Sequence, residues 1–165
     1  MNGEPPLLFE DFAERYASCR WVLDLKLPDA PRTIAALAAW ATGREAWLVE
    51  KTTFLAWRAV DEADLLLRFP RARCYAREPE CYRAGLAVLL AGGVGAGLVP
   101  GRTYSLSPRL RGVPLFRKRL VDRYHAAGAR VLAYLPETEA DADAAVDAGF
   151  DEVLTNERFS AMGRG

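Results

Sequence analysis

The sequence predicts a single α/β domain built from repeated strand–helix units around a parallel sheet. Short strand patterns alternate with helical patterns of ten or more residues, and this alternation is typical of βαβ units. Six such strand patterns recur along the 165 residues, and no linker or low-complexity segment separates them. We therefore expect one domain over residues 1–165.

The first half of the chain predicts helices and strands in alternation. Leu8, Phe9, Phe12 and Tyr16 recur at helical spacing, and the strand pattern WVLDLKL follows them. A threonine before a periodic apolar run is a common helix N-cap, and proline ends such a helix. The predicted elements are a helix over 6–18, a strand over 21–27 before Pro28, a helix over 33–41 before Gly43, a strand over 46–50, and a helix from Thr53 to Pro70.

The second half repeats this pattern. The strongly amphipathic run LFRKRLVDRYHAA is followed by Gly128, which suits the position after a helix. The next helix carries acids in its first turn, which suits the helix dipole, and Gly149 follows its end. The predicted elements are a strand over 72–76, a helix over 80–90, a strand over 96–99, a basic loop over 100–112, a helix over 115–127, a strand over 130–135, a helix over 137–148, a strand over 151–154, and a tail over 157–162.

Polar residues in the strand patterns bear on whether the sheet is open or curved into a barrel. In WVLDLKL, alternation places Val22, Asp24 and Lys26 on one face, whereas a strand covered by helices on both sides should be almost entirely apolar. Charges near the carboxyl end of a strand suit a barrel lumen, where active-site groups collect. Glu50, Tyr134 and Asn156 stand in the same relation to three other strand patterns. An edge strand with one solvated face explains the pattern equally well.

Composition excludes several classes of protein. Lys plus Arg equals Asp plus Glu at 22 each, so no overall field attracts nucleic acid or an anionic membrane. The amino terminus lacks the pattern of a signal peptide, and no apolar run approaches the ~20 residues of a membrane span. An odd number of cysteines suggests reduced thiols, and one histidine cannot complete a zinc site with them. We expect a cytoplasmic protein with no nucleic-acid partner and no membrane span.

Other conspicuous motifs are given structural interpretations. The glycine-rich run over 92–97 follows a helix and precedes a strand, the reverse of a dinucleotide-binding loop, so a turn is expected. His125 lies near a helix end, where a cation suits the dipole, and not in the lumen. The basic run is interpreted as a solvated loop and helix face, with an anion site as the alternative; it comprises Arg102, Arg109, Arg111, Arg117, Lys118 and Arg119. The tryptophans are expected to pack in the core: Trp21, Trp40, Trp47 and Trp57.

Several segments together resemble one family. The stretch from Tyr124 to Asn156, YHAAGARVLAYLPETEADADAAVDAGFDEVLTN, resembles the last two strand–helix units of glycerophosphodiester phosphodiesterases. WVLDLKL resembles that family's Glu-x-Lys strand, PPLLFEDFAERY its preceding Pro-Thr-Leu-Glu-Glu helix, and Thr53-Phe54 its Ser-Phe. The resemblance implies an incomplete TIM-type (β/α) barrel of about six parallel strands with outer helices, matching the carboxyl-terminal three quarters of the family's barrel and truncated at its amino terminus.

The resemblance also implies a chemistry, most of whose residues are not matched. In the family, two histidines act as acid and base on a phosphodiester, and carboxylates hold a divalent cation such as Ca²⁺ or Mg²⁺. This sequence contains no His-Arg-Gly, no strand pattern with Glu-x-Asp and no His-Asp, which are the motifs that carry them. We therefore expect no catalytic residue and no bound cofactor, and a phosphoric diester hydrolase of glycerophospholipid metabolism that is inactive alone.

Five residues remain as candidates for a binding site. Asp24 matches a metal carboxylate, and Lys26 matches the phosphate-facing lysine. Tyr134 replaces a tryptophan that contacts the glycerol group, and Asn156 replaces the family's closing acid. Glu50 joins them as a polar strand end, and we expect Lys26 to pair with Asp24 or Glu50. A non-enzymatic module that binds phosphorylated ligands is the alternative function.

Strand number also predicts assembly. A complete (β/α)₈ barrel needs about 250 residues, and six strands leave two parallel edges unpaired. Such edges invite pairing with another chain. We therefore expect a homodimer, a partner chain that completes the barrel, or a gap plugged by residues 1–16.

Overall fold

The computed structural model describes residues 7–91 and 97–156. The helices are α1 (Phe9–Arg15), α2 (Ala30–Trp40), α3 (Glu45–Lys51), α4 (Ala59–Arg68), α5 (Glu78–Ala91), α6 (Lys118–Ala126) and α7 (Glu139–Ala148). The strands are β1 (Trp21–Leu25), β2 (Thr52–Ala56), β3 (Arg73–Cys74), β4 (Thr103–Leu106), β5 (Arg109–Leu110), β6 (Val113–Pro114), β7 (Arg130–Tyr134) and β8 (Glu152–Leu154).

Six of these strands form a parallel wall in chain order. Strands β1, β2 and β3 are paired in parallel, as are β4, β7 and β8. A parallel bridge between Tyr75 and Thr103 connects the two groups. Sequential winding is typical of a (β/α) barrel, whereas a doubly wound sheet reverses its strand order. No described strand pairs with the outer edges of β1 and β8, so the wall is open and the predicted incomplete barrel is confirmed.

The two faces of the wall differ because strand side chains alternate. In β2, Thr52, Phe54 and Ala56 are buried against the helices, whereas Thr53 and Leu55 are partly exposed on the other face. One core cluster lies beneath α2, α3 and α4, and a second lies beneath α5, α6 and α7. The other face of the wall is the concave side that corresponds to a barrel lumen.

The predicted strand over 46–50 is wrong. Those residues lie in α3, which buries Leu48 and Val49, and the strand begins only at Thr52. Thr53 is therefore inside a strand and not a helix cap, and the next helix begins at Ala59. A short apolar run such as AWLV fits a buried helix turn as well as a strand, and periodicity alone cannot separate them.

The predicted strand over 96–99 is also wrong. Residues 97–99 are not in a strand, and β4 begins at Thr103, inside the segment predicted as a basic loop. The end of that segment forms β5 and the tip of the β5–β6 hairpin, where Arg111 and Gly112 both have positive φ, 48° and 81°. The glycine run over 92–96 and the tail over 157–162 lie outside the described residues.

The remaining predicted elements are confirmed within a few residues at each end. Thr138 caps α7 by accepting a 3.1 Å hydrogen bond from the Asp141 amide, and Gly149 ends that helix with φ of 82°. Among the described residues, none of the helices combines the length and apolarity that a membrane crossing requires.

Helix α1 lies in the outer layer. Phe9 and Trp40 pack edge to face with 4.7 Å between ring centroids, and Phe12 lies 5.3 Å from Trp21. Ala13 is buried in the same cluster as Trp21. Residues 7–16 therefore cover the tryptophans near α2 and β1, and the expectation that they plug the open side of the barrel is wrong for this described part.

Candidate functional site

The candidate site lies on the carboxyl rim, by which we mean the edge of the wall where the parallel strands end. Asp24 is opposite Leu55 in the register of β1 and β2, and Lys26 follows β1 directly. Trp57 follows β2, and Tyr134 is the last residue of β7. Parallel strands end at the same edge, so these side chains come from separate parts of the sequence to one rim.

Asp24, Lys26 and Trp57 form a cluster of three side chains, the rim cluster. One carboxylate oxygen of Asp24 accepts a 2.7 Å hydrogen bond from the Trp57 indole N–H, and the other forms an ion pair with the Lys26 ammonium. The Lys26 ammonium also lies 5.3 Å from the centroid of the Trp57 ring, a cation–π distance. The expected pairing of Lys26 with an acid is present, and it compensates the lysine charge.

Glu50 does not join this cluster, and its predicted position is wrong. It is an exposed residue of α3, before β2 begins, which places it toward the opposite edge of the wall. Its backbone carbonyl accepts a 2.7 Å hydrogen bond from Arg73. The position of Glu50 is wrong because the strand before the rim is Thr52–Ala56 and not 46–50. The residue that follows this strand at the rim is therefore Trp57. The sequence predicts that Trp57 packs in the core, whereas the structure places it on the rim, hydrogen-bonded to Asp24.

Tyr134 and Asn156 lie on the rim without joining the cluster. Both are exposed, and within the described residues no hydrogen bond links either of them to Asp24 or Lys26. A cleft of about 770 Å³ runs along the lumen face below the rim. Its lining includes Val22, Leu55, Trp57, Ser105, Tyr134 and Leu154.

A second polar group forms the lower part of the lumen. The Tyr75 hydroxyl donates a hydrogen bond to Glu152, and Arg130 forms an ion pair with the same carboxylate at 3.3 Å. Burial, reinforced by Glu152, raises the pKa of Tyr75 well above its usual range. Tyr75 therefore remains protonated at neutral pH and serves as a hydrogen-bond donor within the wall.

His125 lies outside the lumen, as expected. Its Nε2 is 3.0 Å from an Asp151 oxygen that also accepts a 2.8 Å hydrogen bond from the Val131 amide. Partial burial alone would raise the pKa of Asp151, but the Val131 amide and His125 favour the carboxylate and lower it. The contact joins the end of α6 to the start of β8.

Four charged residues form a network in the outer layer that the sequence analysis missed. Arg77 contacts Glu62 at 2.8 Å and Glu80 at 2.6 Å, and Arg102 contacts the same two acids at 2.7 and 2.9 Å. The network joins the first turns of α4 and α5. Two arginines and two glutamates give no net charge, which indicates a structural role.

Two of the three cysteines, Cys74 and Cys81, lie in surroundings that do not favour a reactive thiolate. Burial raises the pKa of the Cys74 thiol to about 11 and raises that of Cys81 as well. The Cys81 sulfur accepts a hydrogen bond from the Ser105 amide at 3.3 Å. Both thiols are therefore interpreted as structural.

A divalent cation does not fit the residues of the rim cluster. The part of the chain that the structure describes contains no group of three His, Cys, Asp or Glu side chains able to hold a metal ion. Both oxygens of Asp24 are engaged by donors, one of them an ammonium. A cation at Asp24 would have to displace Lys26 and would find no second carboxylate ligand there.

Comparison with known proteins identifies the fold. The sequence matches no protein-family model and no curated protein. A glycerophosphoryl diester phosphodiesterase domain of an uncharacterised protein from Mycobacterium tuberculosis superposes with a TM-score of 0.68 at 16% identity, over 88% of this chain and 58% of that one. A protein from Silicibacter pomeroyi, assigned as a glycerophosphoryl diester phosphodiesterase, gives 0.55 at 18% identity, over 82% and 46%.

This chain therefore spans little more than half the length of the first of these proteins and less than half of the second. The match falls on the carboxyl-terminal part of the phosphodiesterase domain, as the sequence motifs predicted. The chain has the fold of the carboxyl-terminal part of a glycerophosphoryl diester phosphodiesterase domain.

Proposed function

We propose that this chain is a glycerophosphodiester phosphodiesterase-type module that does not hydrolyse phosphodiesters by itself. The observation that carries the proposal is the rim cluster, in which Asp24 and Lys26 neutralise each other where a phosphate and a cation would need them. The proposal includes a role in glycerophospholipid metabolism. It also includes a cytoplasmic location, which the free thiols of Cys19, Cys74 and Cys81 support.

The proposal follows from what diester hydrolysis requires. A phosphodiester carries a negative charge that must be neutralised, and its leaving alkoxide must be protonated. A positioned general acid or base contributes roughly 10²- to 10⁴-fold in rate. His125 is engaged with Asp151 on the outside of the wall, and Tyr75 is engaged with Glu152. Neither is placed to act on a ligand at the rim.

We expect the purified chain to show no metal-dependent hydrolysis of glycerophosphocholine or of bis(p-nitrophenyl) phosphate. The assay compares product release in Ca²⁺, in Mg²⁺ and in EDTA. Asp24→Ala is the diagnostic variant, and Asp11→Ala, an exposed acid on α1, is its matched control. Turnover that requires a metal and disappears only in Asp24→Ala would overturn the proposal.

The second candidate function is a barrel module that a further chain completes. The outer edges of β1 and β8 favour it, since no strand in the described part of the chain pairs with them, and apolar side chains lie on or beside the open face. Val22 is 49% exposed and Leu154 is 37% exposed. The completing chain is either a second copy of this chain or a different protein. Measuring the oligomeric state of the purified protein tests this candidate.

A further inference from the structure

One basic surface is not part of the rim cluster. It comprises residues 109–119, which form the β5–β6 hairpin, its exit and the first turn of α6, and we call it the basic hairpin surface. It follows β4 along the chain and therefore extends from the carboxyl rim. Its five cationic residues are Arg109, Arg111, Arg117, Lys118 and Arg119.

Most of this positive charge has no acid beside it. Arg109 forms an ion pair with Asp141 at 3.1 Å, and Lys118 with Asp122 at 2.6 Å. The side chains of Arg111, Arg117 and Arg119 are exposed and have no hydrogen-bond or ion-pair partner among the described residues. The first turn of α6 contains no acid. Three positive charges are therefore available to an external partner.

Exposed apolar residues lie among these cations. Val113 is 49% exposed, and Pro114 beside it is exposed as well. The base of the hairpin is anchored, because Leu115 and Phe116 are buried in the second core cluster and Leu110 packs against it. The hairpin thus exposes arginine and small apolar side chains side by side, while its base is held in place by the second core cluster.

We propose that the basic hairpin surface binds an anionic lipid bilayer. Cations attract the anionic headgroups, and adjacent apolar side chains enter the boundary between headgroups and acyl chains. Nucleic acid is a poorer fit, since single strands stack on exposed aromatic side chains and Phe116, the one aromatic residue of this surface, is buried. Bound in this way, the protein presents its carboxyl rim to the membrane.

The overall charge of the chain does not conflict with this inference. The net charge is zero over the whole sequence, but surface attraction decays within a Debye length of about 10 Å at 0.1 M salt. A bilayer therefore responds to the few charges that face it. This surface does not depend on the proposed function, because none of its residues belongs to the rim cluster.

The experiment measures sedimentation with vesicles of phosphatidylcholine alone and of phosphatidylcholine with 30% phosphatidylglycerol. We expect binding only to the anionic vesicles, weakened by 0.5 M NaCl. Each basic residue near an anionic surface strengthens binding by about fivefold. The triple variant Arg111→Asn, Arg117→Gln, Arg119→Gln should therefore bind about 100-fold more weakly. Asparagine is chosen at position 111 because it tolerates positive φ.

The matched control removes the same charge elsewhere, with Arg32→Gln, Arg71→Gln and Arg83→Gln, all exposed residues outside the basic hairpin surface. It should bind like wild type, and Val113→Ser should weaken binding severalfold. Amide hydrogen exchange of the wild-type protein tests the proposal without any variant. We expect the amides of residues 109–119 to exchange more slowly when anionic vesicles are added. Absence of anionic binding, equal loss in the control triple, or tighter binding to a short duplex or single-stranded oligonucleotide would overturn the proposal.

Discussion

At the scale of single residues, the rim cluster depends on the carboxylate of Asp24. That carboxylate accepts a hydrogen bond from Trp57 and neutralises Lys26, so each of its oxygens has a partner. A charge-assisted hydrogen bond contributes roughly 1.5 to 3 kcal/mol, and Lys26 already makes one. An incoming phosphate therefore has to compete with Asp24 for the same ammonium.

This competition predicts weak binding of glycerol 3-phosphate. We expect dissociation constants above 1 mM for both wild type and Lys26→Met, measured by titration of amide chemical shifts. Asp24→Asn should bind more tightly by about tenfold, equivalent to ~1.4 kcal/mol, because it frees the ammonium while keeping an oxygen for the Trp57 N–H. Submillimolar binding by wild type that is lost in Lys26→Met would contradict the paired arrangement and favour a phosphate-binding module.

Asp151 supports a prediction about pH. Its pKa is lowered in the folded state, so its stabilising contribution is present above the unfolded-state pKa of ~4 and is lost as pH falls through the lower folded-state value. We expect Asp151→Asn to lower the free energy of unfolding by about 1 kcal/mol at pH 7, since it weakens hydrogen bonds from Val131 and His125. Urea denaturation should show that this difference shrinks as the pH falls below about 4.

The control for this prediction is Asp147→Asn, an exposed acid of α7. It should leave the free energy of unfolding within about 0.5 kcal/mol of wild type at every pH. A penalty in Asp151→Asn that stays constant down to pH 3 would show that the charge of Asp151 is not the source of its contribution.

Residue positions on the rim could be predicted only where the strand was placed correctly. Alternation along β1 was sufficient to place Asp24 and Lys26 on one face. The second strand was predicted six residues too early, at 46–50 instead of 52–56. The same reasoning therefore placed Glu50 at the rim and missed Trp57. Side-chain pairing between Asp24 and Trp57 depends on the register of two strands, which local sequence patterns do not contain.

At the scale of elements, the outer layer is held together by different means in different places. Helices α5, α6 and α7 share the second apolar cluster, whereas α4 and α5 are joined at their first turns by the four-residue charge network. The order of the helices other than α3 was predictable from periodicity and caps. This network was not, because Glu62 and Arg102 are distant in sequence from Arg77 and Glu80, and each of the four resembles an ordinary surface charge.

The network should make Glu62 important for stability. Its side chain is 9% exposed and contacts both arginines, so Glu62→Gln leaves two partly buried guanidinium groups with one acid. Loss of one partner from a buried ion pair costs roughly 3 to 5 kcal/mol, and partial exposure of the arginines reduces this to about 2 to 3. Chemical denaturation should show that decrease in the free energy of unfolding.

Helix α4 also provides the control. Asp64 pairs with Arg68 at 3.1 Å on a more exposed part of the helix, and Asp64→Asn should cost less than about 1 kcal/mol. Equal effects of Glu62→Gln and Asp64→Asn would mean that the network contributes no more than a surface ion pair.

At the scale of the whole molecule, the wall has the fold of the carboxyl-terminal part of a barrel, and no strand within residues 7–91 and 97–156 pairs with its outer edges. Sequential parallel order could be predicted from the alternation of strands and helices, and the superposition with phosphodiesterase domains confirms it. What covers the open side could not be predicted, because it depends on surface contacts and not on local patterns. The described part of the amino-terminal segment packs elsewhere, on the tryptophans of the outer layer.

The open side leads to a prediction of dimerisation. The outer N–H and C=O groups of β1 and β8, which no described strand pairs with, favour pairing with another strand. Burial of Val22 and Leu154 on the adjacent face adds an apolar contribution. We expect light scattering at 100 μM to give twice the 18.2 kDa mass of the chain. Amide exchange in β1 and β8 should slow as the protein concentration rises, since assembly follows mass action.

Val22→Lys places a charge in this interface and should weaken the dimer at least tenfold, whereas Leu67→Lys, on the exposed side of α4, should not. A monomer at 100 μM whose β1 and β8 amides exchange as fast as those of a free peptide would exclude the homodimer and leave a different partner chain as the remaining way to complete the barrel.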